Sequence, residues 1–215
     1  MRDIKPLPQY LVRRYRGWQA TTFDENRGWY RRLADEGQRP RAMVISCCDS
    51  RVDVTSIFGG EQGDFFVHRN IAALVPPYAP DGDRHGTSAA VEYAVQALHV
   101  SHLIVLGHSR CGGVRGCYDM CSGHAPDLEK STSFVGRWMD ILRPDYEALP
   151  PGEETDRVQT LEKNAVRTSL ANLLGFPFVE ARVRSGDLGL HGIWHDIADG
   201  TLWALDPGGD GFTPV

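Results

Sequence analysis

The 215-residue sequence predicts an α/β fold: a mostly parallel central sheet flanked by helices, with an N-terminal helical arm and a C-terminal hairpin. Three observations lead there. Short apolar runs at Met43-Val44-Ile45, residues 64–68 and Leu103-Ile104-Val105-Leu106 alternate with segments of helical periodicity, the pattern of buried strands under covering helices. Cys47, His108 and Cys111 fall just beyond the carboxyl ends of two of these runs, where open α/β sheets bind ligands. Residues 188–197 and 201–205, turning about Asp199-Gly200, read as a β-hairpin.

Taken in order, residues 1–36 form an arginine-rich arm of one or two amphipathic helices, broken near Gly17 or Thr21-Thr22. Its Leu11, Tyr15, Trp18, Phe23, Trp29, Tyr30 and Leu33 need something to pack on, so the arm is expected to pack on a neighbour rather than act in catalysis. Gly37-Gln38-Arg39-Pro40 ends it, and residues 37–215 form a single α/β domain. Residues 52–58 make a short helix closed by Gly59-Gly60, and the proline-rich stretch 76–86 is a loop. Thr87-Ser88 caps a helix running to about His99, with Ala90, Val91, Ala94 and Leu98 on one face. Cys111 opens the next helix. Phe134, Trp138, Ile141 and Leu142 mark another, ahead of a linker at 144–151. Val158, Leu161, Ala165 and Leu173 mark a last one, stopped by Gly175 and Pro177.

Composition sets the class. Hydrophobic residues at 41% and charged residues at 24% describe an ordinary globular chain, and a net charge of -5 argues against a nucleic-acid partner. No run approaches the roughly 20 apolar residues of a membrane span. The start, Met1-Arg2-Asp3-Ile4-Lys5-Pro6, lacks the apolar core of a secretory signal. Five cysteines, an odd count, point to a reducing compartment, the cytoplasm, where cysteines serve metals or catalysis.

Zinc favours thiolate and neutral imidazole, and a catalytic zinc keeps three protein ligands with one position open. His108-x-x-Cys111 at a strand-to-helix turn, completed by Cys47 from a neighbouring strand, supplies such a set. Against it stands a structural role for the same residues, as small buried cysteines and a loop histidine. Cys48 points away from Cys47 along an extended backbone and is expected in the core. Cys117 and Cys121, four apart on a helix, and His191-x-x-x-His195, two pleats apart on a strand, are read as structural.

Cys47-x-Asp49-Ser50-Arg51, followed by His108-x-x-Cys111-Gly112-Gly113, resembles the signature of the β-class carbonic anhydrases, closer to their plant-type subgroup. The likeness runs from about Gln38 to Cys117 and resumes in the final hairpin. The resemblance implies that residues 37–215 are a zinc-binding catalytic domain for the reversible hydration of carbon dioxide. It makes Cys47, His108 and Cys111 the ligands of one Zn2+ per chain, and Asp49 with Arg51 a dyad beside the metal. It places Gln38, Phe66, Tyr93 and Gly112 around carbon dioxide or bicarbonate. It also implies a homodimer or higher homo-oligomer with the site near the subunit boundary, and leaves open whether Asp49 turns onto the metal. Arg69 matches one residue of a regulatory bicarbonate site found in a bacterial branch, but Val44 and His195 replace its tryptophan and tyrosine, so that site is expected to be absent.

Three alternatives stay open at this level. Close relatives hydrolyse carbon disulfide or carbonyl sulfide at the same zinc. A nucleophilic cysteine enzyme would use Cys47 or Cys111, although neither has arginine at the Cys-x5-Arg spacing of a phosphatase. A non-catalytic zinc module would want a fourth ligand, for which Asp49 is available.

Overall fold

β1 (Ala42–Cys47) is buried from end to end and lies between β2 (Phe65–Asn70) and β3 (His102–His108), parallel to both. This is a computed structural model, and it describes residues 4–82, 85–209 and 211–215. β4 (Gly189–His195) continues the parallel run beside β3. The antiparallel strands β5 (Leu202–Leu205) and β6 (Phe212–Pro214) then complete the order β2-β1-β3-β4-β5-β6. Alternation along β1 puts Met43 and Ile45 in one apolar cluster with Val91, Leu103 and Val105, and Val44 in another with Val52 and Leu106. Helices therefore cover both faces.

The helices of this body are α3 (Val54–Phe58), α4 (His85–Glu92), α5 (Gly112–Cys121), α6 (Phe134–Met139), α7 (Arg143–Glu147), α8 (Glu154–Leu174) and α9 (Pro177–Arg184). α8 presents Leu161, Ala165, Val166, Ser169 and Leu173 inward. At Gly107 it comes so close to β3 that an added Cβ would lie 2.6 Å from Val166 Cγ2.

The described residues up to Arg39 form a separate unit. It holds helices α1 (Gln9–Trp18) and α2 (Arg27–Glu36), joined through a π-helical turn at Gln19–Phe23. The interruption expected at Gly17 or Thr21-Thr22 is thus a widened turn. Thr21 Oγ1 donates to the Gly17 carbonyl at 2.9 Å, a back-bond that loosens the regular ladder. Trp18, Phe23 and Tyr30 pack on one another with centroids 5.0–5.7 Å apart, yet no residue of these three segments is buried.

Several local expectations are corrected. α4 begins at His85, so Thr87 lies within the helix. Its hydroxyl is turned inward to His68 Nε2 at 3.0 Å and Asn70 Nδ2 at 3.1 Å. Its approach to residue 84 lies outside the described residues. The last turn of that helix, Tyr93–Ala97, is π-helical. The linker expected at 144–151 is partly helical: α7 runs from Arg143 to Glu147, with Pro144 in its first turn, where a missing N–H costs nothing. Pro177 ends α8 but starts α9 by the same logic. Phe134 opens α6, as its segment predicted, and is 82% exposed. Cys48, expected in the core, is exposed on a cavity wall.

Candidate metal centre

The centre is built at the carboxyl ends of β1 and β3. Ser46 pairs with Leu106, which sets Cys47 beside the end of β3, where His108 emerges. Between His108 and Cys111 the chain turns through Arg110 in the left-handed region, φ 55°, and Cys111 then caps α5. Ser109 fastens this turn to the end of β4. Its N–H donates to the His195 carbonyl at 2.9 Å, and its hydroxyl donates to Asp196 Oδ1 at 3.0 Å.

Cys47, His108 and Cys111 are all buried, and their ligand atoms lie within 4.8 Å of one another. His108 Nδ1–H donates to the Ser109 carbonyl at 2.9 Å, which leaves the lone pair on Nε2. That Nε2 is buried and has no hydrogen-bond partner. The two sulfurs are 4.0 Å apart. Contact with Cys111 pulls the Cys47 pKa down, while contact with Cys47 and burial push that of Cys111 up. Two thiolates this close need a cation between them. An orphaned imidazole lone pair and a sulfur pair awaiting a positive charge fit zinc.

Asp49 and Arg51 flank the cluster. Arg51 Nε and one terminal nitrogen bind the two Asp49 oxygens at 2.9 and 2.6 Å, and the Arg51 N–H adds a third bond at 3.0 Å. The Arg51 hydrogen bonds, first among the causes, hold the Asp49 carboxyl well below the usual carboxylate range. Gly112 follows Cys111 at the start of α5 and lines a cavity of about 480 Å³ with Arg110, Arg115 and Glu162. A second cavity, of about 510 Å³, is lined by Cys48, His68, Asn70, Ile71 and Trp138.

The remaining pocket candidates sit elsewhere. Phe66 and Tyr93 pack together at 5.8 Å between centroids, and Tyr93 is 51% exposed. Phe66 pairs with Met43, four residues before Cys47, and so lies roughly 13 Å down the strand direction from the metal ligands. One chain does not bring these two rings to its own cluster. Gln38 is exposed and belongs to the N-terminal unit.

Two supporting residues were not assigned from sequence. Glu162 of α8 is buried and accepts the Cys111 N–H at 3.0 Å and the Trp194 indole N–H at 3.3 Å. Burial pushes its pKa up. A glutamate one residue after Leu161 on the inward face of a core helix was the available signal. Arg69 donates to the carbonyls of Cys47, Asp49 and Val52 at 2.7–2.9 Å, which fixes the course of the loop that carries the dyad.

A parallel α/β sheet with a two-cysteine, one-histidine cluster at its strand ends defines a zinc metalloprotein of the α/β class. The carbonic anhydrase family model matches residues 42–202. Beta carbonic anhydrase 3 of Arabidopsis thaliana is 36% identical over 88% of this chain and 74% of its own length. The chloroplastic beta carbonic anhydrase 5 of the same plant is also 36% identical, over 91% of this chain, which spans 64% of that relative's length. The solved β-carbonic anhydrase CcaA superposes with a TM-score of 0.84 at 31% identity, covering 96% of this chain and 91% of that one. A tetrameric β-carbonic anhydrase from Sordaria macrospora gives 0.77 at 29% identity, covering 93% of this chain and 96% of that one. The chain belongs to the β-carbonic anhydrase family.

Proposed function

We propose that this chain catalyses the reversible hydration of carbon dioxide to bicarbonate and a proton, with one Zn2+ held by Cys47, His108 and Cys111. The observation that carries the reading is the buried, unpartnered His108 Nε2 grouped with two sulfurs, while Asp49 is engaged by Arg51. Three ligands with the nearby carboxylate held aside suit a catalytic site better than a closed four-ligand module.

When bound, zinc supplies a Lewis acid that makes a water nucleophilic. Arg51 keeps Asp49 ionised, so that the carboxylate accepts a proton from the attacking water in a hydrogen bond and aims its lone pair at carbon. The Gln38 amide donates to the substrate oxygen on which negative charge grows. Phe66 and Tyr93 give carbon dioxide an apolar wall, and Gly112 leaves room beside Cys111. Because the two rings lie along the sheet from their own cluster, they serve the cluster of a second copy, and the working unit is a homodimer or higher homo-oligomer. The exposed aromatic arm, residues 1–36, is the dimerisation element of that assembly.

Among the described residues no helix is long and apolar enough to cross a membrane. The odd count of five cysteines favours a reducing compartment, and the cytoplasm is the proposed location.

Zinc analysis with stopped-flow carbon dioxide hydration on the purified protein tests the reading. One zinc per chain with turnover is expected. Zinc without turnover would leave a binding module or a carbon disulfide or carbonyl sulfide hydrolase, and a metal-free, alkylation-sensitive enzyme would leave a cysteine nucleophile.

A further inference from the structure

His191 meets a histidine that lies far away in sequence. In the β3/β4 register His102 stands opposite Gly189 and Ile104 opposite His191, so Gly189 and His191 share one face of β4. Gly189 has no side chain, and the His191 ring occupies the space left open. A Cβ at Gly189 would lie 2.9 Å from His191 Nε2 and 3.2 Å from His102 Nδ1. Those two nitrogens are 3.0 Å apart, with ring centroids at 5.1 Å. They open on a cavity of about 500 Å³ lined also by Ala42, Ile104, Leu190 and Asp206. His102 pairs with Ala42 at the start of β1, five residues before Cys47, so the pair sits roughly 16 Å along the sheet from the zinc ligands.

We propose that His102 and His191 form a second metal site, for a divalent copper or nickel ion. A neutral imidazole carries one N–H and one lone pair, and the proton can sit on either nitrogen. With His102 protonated at Nε2 and His191 at Nδ1, both facing nitrogens present lone pairs. No proton is lost in reaching that state, only the hydrogen bond between the rings. Metal–nitrogen bonds of about 2.0–2.1 Å to two nitrogens at this spacing subtend about 94° at the ion. That is close to the cis angle of a square-planar or octahedral centre, and among divalent ions two imidazoles bind Cu(II) and Ni(II) well in such geometries, with water in the remaining positions. Gly189 is part of the site, since it alone keeps the space between the rings clear.

The test is nickel binding to the zinc-loaded protein, by equilibrium dialysis with metal analysis and absorption spectroscopy. One Ni(II) per chain is expected beyond the resident zinc. Its affinity should fall at least tenfold in both His102→Gln and His191→Gln, which keep a polar side chain on each strand, with zinc content unchanged. Gly189→Ala, which retains both imidazoles but crowds them, should weaken binding too. Absence of nickel beyond what displaces zinc, an affinity left unchanged in either histidine variant, or a thiolate-to-nickel charge-transfer band marking Cys48 would each overturn the assignment. None of these readouts depends on carbon dioxide turnover.

Discussion

Arg51 grips both carboxylate oxygens of Asp49, at 2.9 and 2.6 Å, and reaches the Arg110 carbonyl at 3.1 Å with the same arm. One side chain thus ties the turn after β1 to the turn after β3. Exposed ion pairs contribute little to stability, so the value of this one lies in where it keeps Asp49.

Arg51→Ala is expected to lower carbon dioxide hydration by roughly a hundredfold while zinc content stays at one per chain. The carboxylate, freed of its partner, can turn toward the metal position. Arg51→Lys should recover little, because an ammonium cannot bind both oxygens side by side. Stopped-flow rates with metal analysis decide it, and near wild-type turnover in Arg51→Ala would remove the dyad from the mechanism.

Loss of a ligand should show as loss of metal. His108→Ala, Cys47→Ser and Cys111→Ser are each expected to bind zinc at least tenfold more weakly, and chelation of the wild type should lower its Tm. An unchanged Tm after complete zinc removal would mean that the two turns hold their shape without the ion.

Two thiolates and a neutral imidazole cancel the charge of zinc, whereas three histidines would leave it whole and bring bound water to a pKa of about 7. Hydration activity is therefore expected to climb with pH into the alkaline range. A pH–rate profile that is flat across neutrality would contradict this charge count.

Burial pushes the pKa of His68 down, with its Nε2 3.0 Å from Thr87 Oγ1. Its folded pKa is below its unfolded value of about 6.5, so the unfolded chain binds more protons as pH falls. The stability from keeping this ring neutral is fully present above that value and is lost as pH drops through the folded pKa. His68→Gln should flatten the acid limb of a Tm-versus-pH curve, and an identical limb in the variant would assign the acid sensitivity elsewhere.

Gly112 and Gly113 are adjacent but unlike. A Cβ at Gly112 meets nothing within 4 Å, while one at Gly113 would lie 2.6 Å from Ile71 Cγ2 and 3.1 Å from Ala72 Cβ. Gly113→Ala is expected to cost about 1–3 kcal/mol, a Tm loss of several degrees, and Gly112→Ala to leave Tm nearly unchanged. Thermal denaturation of the pair checks the contrast, and equal shifts would refute it.

Much of the site could be read in the chain because its parts are local. Cys47, Asp49 and Arg51 follow one apolar run, and His108 and Cys111 follow another. Buried strands announce themselves by composition, and parallel sheets gather ligands at their carboxyl ends. Boundaries were harder. Pro144 and Pro177 read as stops because proline breaks helix interiors, yet it suits a first turn equally well. Thr87 read as a cap because its hydroxyl could serve the backbone, whereas the fold gives it His68 and Asn70.

By itself the sequence determined the strand–helix alternation and the placing of Cys47, Asp49, Arg51, His108 and Cys111 at two strand ends, since these depend on residue type and short spacing, while the roles of these side chains came with the family resemblance. Tertiary structure alone decided what rests on register and approach across distant segments. It joins Glu162 to the Cys111 N–H, spreads Arg69 over three carbonyls, parts Phe66 from its own Cys47, and gives His191 the partner His102 rather than His195. Such contacts follow from the pairing of strands and the closeness of helices to them, which the order of residues along one segment does not record.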